Sequence, residues 1–124
     1  QDYAIIRFAD VLLMAAELNL DSNSGFAQTC LDRVRDRAFK DTAHRVTVTK
    51  AAVMNERRLE LALEGLRYFD LLRQGLDVTK SAIDNTGTNS EFNVTFRKET
   101  LGWFPLPQSQ IVLSNGAITQ NPGW

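Results

Sequence analysis

Residues 56–75, ERRLELALEGLRYFDLLRQG, decide the fold of this chain. The stretch holds three Glu, one Asp and four Arg, and the positions between them are mostly Leu, Ala, Tyr and Phe. Glu56, Glu60 and Glu64 are spaced so that a helix stacks them along one line, where like charges repel unless cations lie beside them. The circumference is otherwise too apolar for a solvated helix. We therefore interpret the stretch as a mostly buried helix that carries an ion-pair network into the core.

The bulk composition is that of one compact globular domain. The chain has 124 residues, of which 44% are hydrophobic and 23% charged,. Its net charge of −1 gives no electrostatic basis for binding nucleic acid,. The chain has no run of about eighteen apolar residues, which is the length needed to span a bilayer. The single cysteine, Cys30, excludes an internal disulfide, and the start at Gln1 without Met or signal peptide suggests an excised piece whose targeting information lies upstream,.

The first half of the chain predicts a helical hairpin. Residues 7–20 are good helix formers and apolar around most of the circumference, which is typical of a buried helix,. Residues 26–39 have an apolar stripe at helical spacing and predict a second helix,. The turn cluster at residues 21–25 is short enough to make the two helices antiparallel neighbours.

A third helix is predicted to start near Lys50, with Thr49 as its N-cap, and to run to about Gly65,. There it either kinks or restarts, continues through residue 73, and stops at Gly75. A weaker helical segment covers residues 77–83.

The character of the chain changes after residue 84. Residues 92–96 alternate and could form a short strand, whereas the two prolines at 105 and 107 predict an extended segment over residues 103–107,. Residues 109–113 could form one helical turn. We predict a mainly α fold in which residues 1–84 are helical and residues 85–124 are an irregular, extended segment packed on the helices of the same domain.

The charged residues of the first and third helices predict a structural network. Arg7, Asp10 and Glu17 lie close to one line of the first helix, and we expect them to meet acidic and basic partners from the third,. Paired carboxylates could instead act as acid and base on a glycosidic bond. Neighbouring arginines favour charged carboxylates, however, so we expect a scaffold and no enzyme. The predicted network comprises Arg7, Asp10, Glu17, Glu56, Arg57, Glu60, Glu64, Arg67 and Asp70.

Other candidate residues have a functional and a structural interpretation. Trp103 and Trp124 could stack on sugar rings, or Trp103 and Phe104 could anchor the extended tail, which is the interpretation we prefer. His44 has no Cys or His at ligand spacing, so we expect a surface loop residue and no metal site,. Cys30 lies on the inner stripe of its helix and is expected to be a small buried hydrophobe. No cofactor is implied.

Four motifs, in order along nearly the whole chain, resemble the C-terminal part of the SusD/RagB proteins. They are YAIIRFADVLLM at residues 3–14, NERRLELALEGLRYFDL at 55–71, FPLPQS at 104–109 and TQNPGW at 119–124. Leu66 and Gln110 depart from the residue types that the family often carries at those positions.

The resemblance implies tetratricopeptide-like helix pairs, with irregular segments packed on them, in a protein that is not an enzyme. It also implies a lipoprotein anchored on the outer face of the Bacteroidetes outer membrane, through an upstream lipid anchor that this chain does not contain. Such proteins bind oligosaccharides or similar nutrients and cover a TonB-dependent transporter. No ligand contact of the family maps onto these positions, so the ligand-binding residues stay unassigned. A helical protein–protein interaction module without carbohydrate binding is the alternative.

Overall fold

The computed structural model of the chain describes residues 6–84 and 94–124. Over these residues the chain is helical and contains no β-strand, which confirms the predicted mainly α fold. The α-helices are α1 (Phe8–Leu18), α2 (Ser24–Phe39), α3 (Lys50–Glu60), α4 (Arg67–Leu72), α5 (Leu76–Asp84) and α6 (Gln108–Leu113), and Lys98–Thr100 forms a 3-10 turn.

The chain divides into two compact units, Gln1–Arg67 and Tyr68–Trp124. The first unit holds α1, α2 and α3, and α4 begins at its last residue. The predicted boundary after residue 84 stays a prediction, since residues 85–93 lie outside the described residues.

The core of the first unit lies where α1 packs on α2 and α3. Ala9, early in α1, joins a cluster with Val34, late in α2, whereas Ala16, late in α1, joins Cys30, early in α2. This pairing is that of an antiparallel hairpin, as the short turn predicts. Val53 of α3 completes the second cluster. Each fully buried aliphatic side chain contributes at most about 1.5–3 kcal/mol to folding.

Side-chain caps set the starts of α2 and α3. The Asn23 side chain accepts a hydrogen bond from the Phe26 amide at 3.1 Å, so α2 begins at Ser24, two residues before the predicted start,. The Thr49 hydroxyl accepts from the Ala52 amide at 3.0 Å, which confirms Thr49 as the N-cap of α3.

The third helix ends earlier than predicted. α3 stops at Glu60 and does not reach Gly65. Leu63 adopts a left-handed backbone with φ of 67° and Gly65 follows with φ of 77°, so neither can continue a right-handed helix,. Of the two alternatives left open, a kink or a restart, the structure shows a restart at Arg67.

The second unit contains two further helices in the predicted places. Gly75, with φ of 111°, separates α4 from α5, and α6 lies at the predicted turn near residues 109–113. The predicted strand is wrong for its described part: residues 92–93 lie outside the described residues and residues 94–96 are irregular. There the Phe96 amide donates to the Asp84 carboxylate at 2.9 Å, so a helix-end side chain occupies a donor that a strand would offer to a neighbour.

Candidate functional site

A buried ion pair joins α1 to α3. The guanidinium of Arg57 donates to the carboxylate of Asp10 at 2.6 Å, and their side chains are 5% and 10% exposed. Charges removed from water in this way are stable only when paired, because each would otherwise lose its hydration without compensation. The pair therefore ties the two helices together at a position where neither residue can be lost alone.

A second group of ion pairs surrounds Arg7, which directly precedes α1. Its guanidinium donates to the Glu64 carboxylate at 2.9 Å, to the Glu60 carboxylate at 2.9 Å and to the Glu60 main-chain carbonyl at 2.7 Å. The hydrogen bond to Glu64, and then the one to Glu60, raises the pKa of Arg7 above its ordinary value. Arg37 of α2 reaches both carboxylate oxygens of Glu60 at 2.6 Å. Glu64 lies beyond the end of α3, so the predicted stack of three glutamates on one helix is wrong. Glu60 and Glu64 nevertheless receive cations from outside α3.

Two arginines of α2 belong to these contacts although the sequence interpretation did not include them. Arg35 pairs with the buried carboxylate of Glu56, and Arg37 with Glu60. On a helical projection both lie outside the apolar stripe of α2, where the sequence does not indicate which element packs against them. The sequence did contain one clue. The predicted third helix has too few cations beside Glu56, Glu60 and Glu64, so other elements had to supply them.

The remaining predicted network residues lie in different surroundings. Glu17 is half-buried on α1. Asp70 is buried in α4, where it accepts from Arg73 at 3.0 Å. Arg67 is exposed at the start of α4 and makes no ion pair with another described residue.

A cavity of about 360 Å³ opens between the first turn of α1 and the second half of α2. Its floor is apolar, formed by Phe8, Ala9, Leu12 and Val34. The other three lining residues are arginines: Arg7, Arg33 and Arg37. A concave apolar site with a few convergent charged groups is the arrangement that binds small ligands in proteins.

The second unit carries two half-exposed tryptophans. Trp103 is 57% exposed and Trp124 is 51% exposed. The indole N–H of Trp124 donates to the Trp103 carbonyl at 2.9 Å, and the Arg97 guanidinium lies 4.1 Å from the centre of its ring,. Phe104 packs against Tyr68 of α4, with ring centres 5.3 Å apart. The contact with Tyr68 supports the anchoring interpretation for Phe104, while the indole rings of Trp103 and Trp124 keep accessible surface.

The isolated candidates have structural surroundings. His44 is exposed and stacks on Phe39 with ring centres 4.3 Å apart, and its hydrogen bond to Asp41 lowers the pKa of that carboxyl. Cys30 is 2% exposed, and burial raises the pKa of its thiol. This confirms the predictions of a surface loop histidine and a buried cysteine. Residues 6–84 and 94–124 contain no group of three or more side chains that could hold a metal ion.

None of the helices in the described ranges has the length and hydropathy needed to cross a bilayer.

The first unit is thus a helical hairpin, joined to α3 through buried ion pairs, with a cavity lined by apolar and arginine residues. A sequence profile of the SusD family matches residues 1–124, and the chain belongs to this family. The resemblance carried by the four sequence motifs is thereby confirmed.

Two relatives show how much of a family member the chain represents. SusD-like protein P2 of Formosa agariphila is 28% identical over 135 aligned residues, which cover 99% of this chain and 26% of the relative. The solved structure of surface glycan-binding protein A from Bacteroides thetaiotaomicron superposes with a TM-score of 0.79 at 28% identity. It covers 94% of this chain and 24% of the solved one. The chain therefore spans about a quarter of the length of each.

Proposed function

We propose that the chain is part of a glycan- or nutrient-binding component of an outer-membrane uptake system. The observation that carries this proposal is the match over 94% of the chain to a solved protein whose name describes surface glycan binding. The half-exposed indoles of Trp103 and Trp124 also support it, because aromatic faces suit the C–H faces of sugar rings,.

The cellular location and the transporter partner are proposed from the family resemblance. The protein acts at the outer surface of the outer membrane, held there by a lipid anchor upstream of this chain, and works with a TonB-dependent transporter. It binds its ligand without transforming it. This role needs no reacting group, and the carboxylates of Asp10, Glu56 and Glu60 are each held by a guanidinium.

The network of charged residues acts as scaffold in this proposal. The contacts of Arg57 with Asp10 and of Arg7 with Glu60 and Glu64 support that role, because each joins segments far apart in sequence. The membership of Glu17, Arg67 and Asp70 in this scaffold stays a prediction, and for Arg67 no ion pair with another described residue supports it.

A panel of glycans titrated calorimetrically into the full-length protein tests the function. We expect saturable binding to at least one glycan, with no new reducing ends after prolonged incubation. New reducing ends would contradict a binding role without catalysis. Absence of binding across the panel, with the transporter still co-purifying, would replace the proposal with the alternative below.

The alternative is a helical protein–protein interaction module that binds no carbohydrate. Phe8, Val11 and Leu18 favour it, since they share one face of α1 and are 63%, 44% and 81% exposed,. Substitution of Val11 by Asp tests whether the exposed face of α1 binds a protein partner, as the module requires. The glycan panel discriminates between the two functions, because the module binds no carbohydrate.

A further inference from the structure

We propose that the cavity between α1 and α2 binds a sugar residue that bears an anionic group, with Arg33 and Arg37 holding the anion. This inference rests on the proposed glycan-binding function and specifies the class of glycan. Three features of the cavity support it: the charge of its lining, the apolar residues Phe8, Ala9, Leu12 and Val34, and its volume.

The charge around the cavity is unbalanced in favour of cations. Arg7 already donates to both Glu60 and Glu64, and Arg37 places one amino group on Glu60. Arg33 has no carboxylate partner among the residues that the structure describes. Three guanidinium groups thus meet two carboxylates, and the unpaired one is exposed to an entering ligand.

The positions of Arg33 and Arg37 suit an anion. They are four residues apart on α2, so their side chains are neighbours on one helix face and repel each other,. An anion between them removes that repulsion and accepts charge-assisted hydrogen bonds from both. Carboxylates and sulfate esters match the planar fork of guanidinium donors, which neutral hydroxyl groups do not.

The floor of the cavity argues for a ligand with an apolar body. Phe8, 63% exposed, lies under the Arg33 guanidinium at 5.2 Å, next to Ala9 and Val34, which are buried. A free inorganic anion gains nothing from this surface, whereas the C–H face of a sugar ring can pack on Phe8. The volume of about 360 Å³ lies near the lower end of the range for small-ligand sites, which suits a single sugar unit of a longer glycan,.

Calorimetry on the full-length protein tests this proposal with three probes: oligogalacturonides, sulfated galactan oligosaccharides and uncharged galacto-oligosaccharides. We expect an acidic probe to bind at least tenfold more tightly than the uncharged one, and the binding to weaken as salt increases. The carboxylated and sulfated arms identify which anion the cavity prefers.

Two variants locate the effect. Arg33→Gln removes the unpaired cation and should weaken acidic-probe binding by roughly tenfold to a hundredfold, and uncharged-probe binding by much less. Arg58→Gln, which changes an exposed arginine of α3, is the control and should bind all probes as the parent does. Melting curves verify that both variants fold.

The outcomes separate this inference from the function on which it rests. Equal affinity for acidic and uncharged probes, or acidic binding unaffected by Arg33→Gln, would overturn the cavity proposal while glycan binding stands. Failure of every glycan to bind would overturn the proposed function and this inference with it.

Discussion

At the scale of single residues, the buried pair of Asp10 and Arg57 has the greatest energetic consequence. Both groups have left water, and their mutual contact at 2.6 Å replaces part of the lost hydration. Such a pair contributes little net stability compared with well-packed apolar residues, yet removing one member leaves the other charge buried and uncompensated. The asymmetry makes each residue indispensable while the other is present.

Arg57→Ala should therefore lower the free energy of unfolding by roughly 3–5 kcal/mol. Arg58 is its neighbour on α3 and is exposed, so Arg58→Ala should change the free energy of unfolding by less than about 0.5 kcal/mol,. Chemical denaturation of the two variants beside the parent measures the difference. Equal midpoints for Arg57→Ala and the parent would show that the guanidinium is not buried in solution.

A positive φ and the close approach of the Leu72 side chain both favour glycine at position 102. Its φ of 80° disfavours any side chain, and an added Cβ would lie 2.3 Å from Cδ2 of Leu72. Gly116 has a similar φ of 85° with open space around it. Substituting Gly116 therefore measures backbone strain alone, whereas substituting Gly102 measures backbone strain together with overlap with Leu72.

We expect Gly116→Ala to cost about 1–2 kcal/mol from backbone strain alone. Gly102→Ala should cost a further 1–3 kcal/mol, roughly, because Leu72 has to be displaced. Urea unfolding of both variants gives the comparison. If the two alanines destabilise the protein equally, Leu72 moves aside freely and the close approach has no energetic weight.

At the scale of helices, the two ends of α3 were not equally predictable from the sequence. The start of α3 follows from Thr49, whose hydroxyl satisfies a local amide, so the necessary information lies within three residues,. The end of α3 depends on Leu63 adopting a left-handed backbone, which nothing in the propensity of leucine indicates,. That conformation is imposed by the chain around it, and the sequence interpretation consequently extended the helix to Gly65.

The candidate site was predictable to a similar degree. The need for a network was visible in the stacked glutamates, and so was Arg7 as one of its members. The roles of Arg35 and Arg37 were not visible, since a helical projection shows which side a residue occupies and not which element packs there. The cavity depends on the same packing of α1 on α2, so sequence alone could not locate it.

The extended tail of the second unit is held by side-chain amides where a sheet would use a backbone ladder. The Gln120 amide accepts from the Leu106 N–H at 2.7 Å and donates to the Leu106 carbonyl at 2.9 Å. Asn121 donates to the Phe104 carbonyl at 2.7 Å. One glutamine thus takes the place of a pairing strand and keeps Trp124 beside Trp103.

Gln120→Ala removes three hydrogen bonds, the two with Leu106 and one that the Asn121 amide donates at 2.9 Å. At roughly 0.5–1.5 kcal/mol each, their loss should destabilise the second unit by about 1.5–4.5 kcal/mol. It should also shift tryptophan emission to longer wavelength as the tail loosens. Gln110→Ala, at an exposed position of α6, is the matched control and should leave both signals unchanged. Identical emission and stability in the two variants would show that the amide contacts with Leu106 are dispensable.

At the scale of the whole molecule, several large apolar side chains are exposed and lie outside the core. Leu18 is 81% exposed and Phe8 is 63% exposed on α1, while Leu113 is 74% exposed on α6. Scattered apolar residues are ordinary on protein surfaces, but Phe8, Val11 and Leu18 share one face of α1. The relatives that the chain matches are about four times its length. In a polypeptide of that length, other residues could pack over this face of α1.

We therefore expect the 124-residue chain, expressed by itself, to be less soluble than the full-length protein, because contiguous apolar surface promotes association,. It should bind a hydrophobic dye and elute from a sizing column as a broad, concentration-dependent peak. Replacing Val11 and Leu18 on α1 with Gln is the direct check, since it removes apolar surface without touching the core and should sharpen the peak. A sharp monomer peak and a cooperative melt from the unmodified chain would show that the three packed helices of the first unit suffice, and that the exposed face of α1 serves a partner and not the fold.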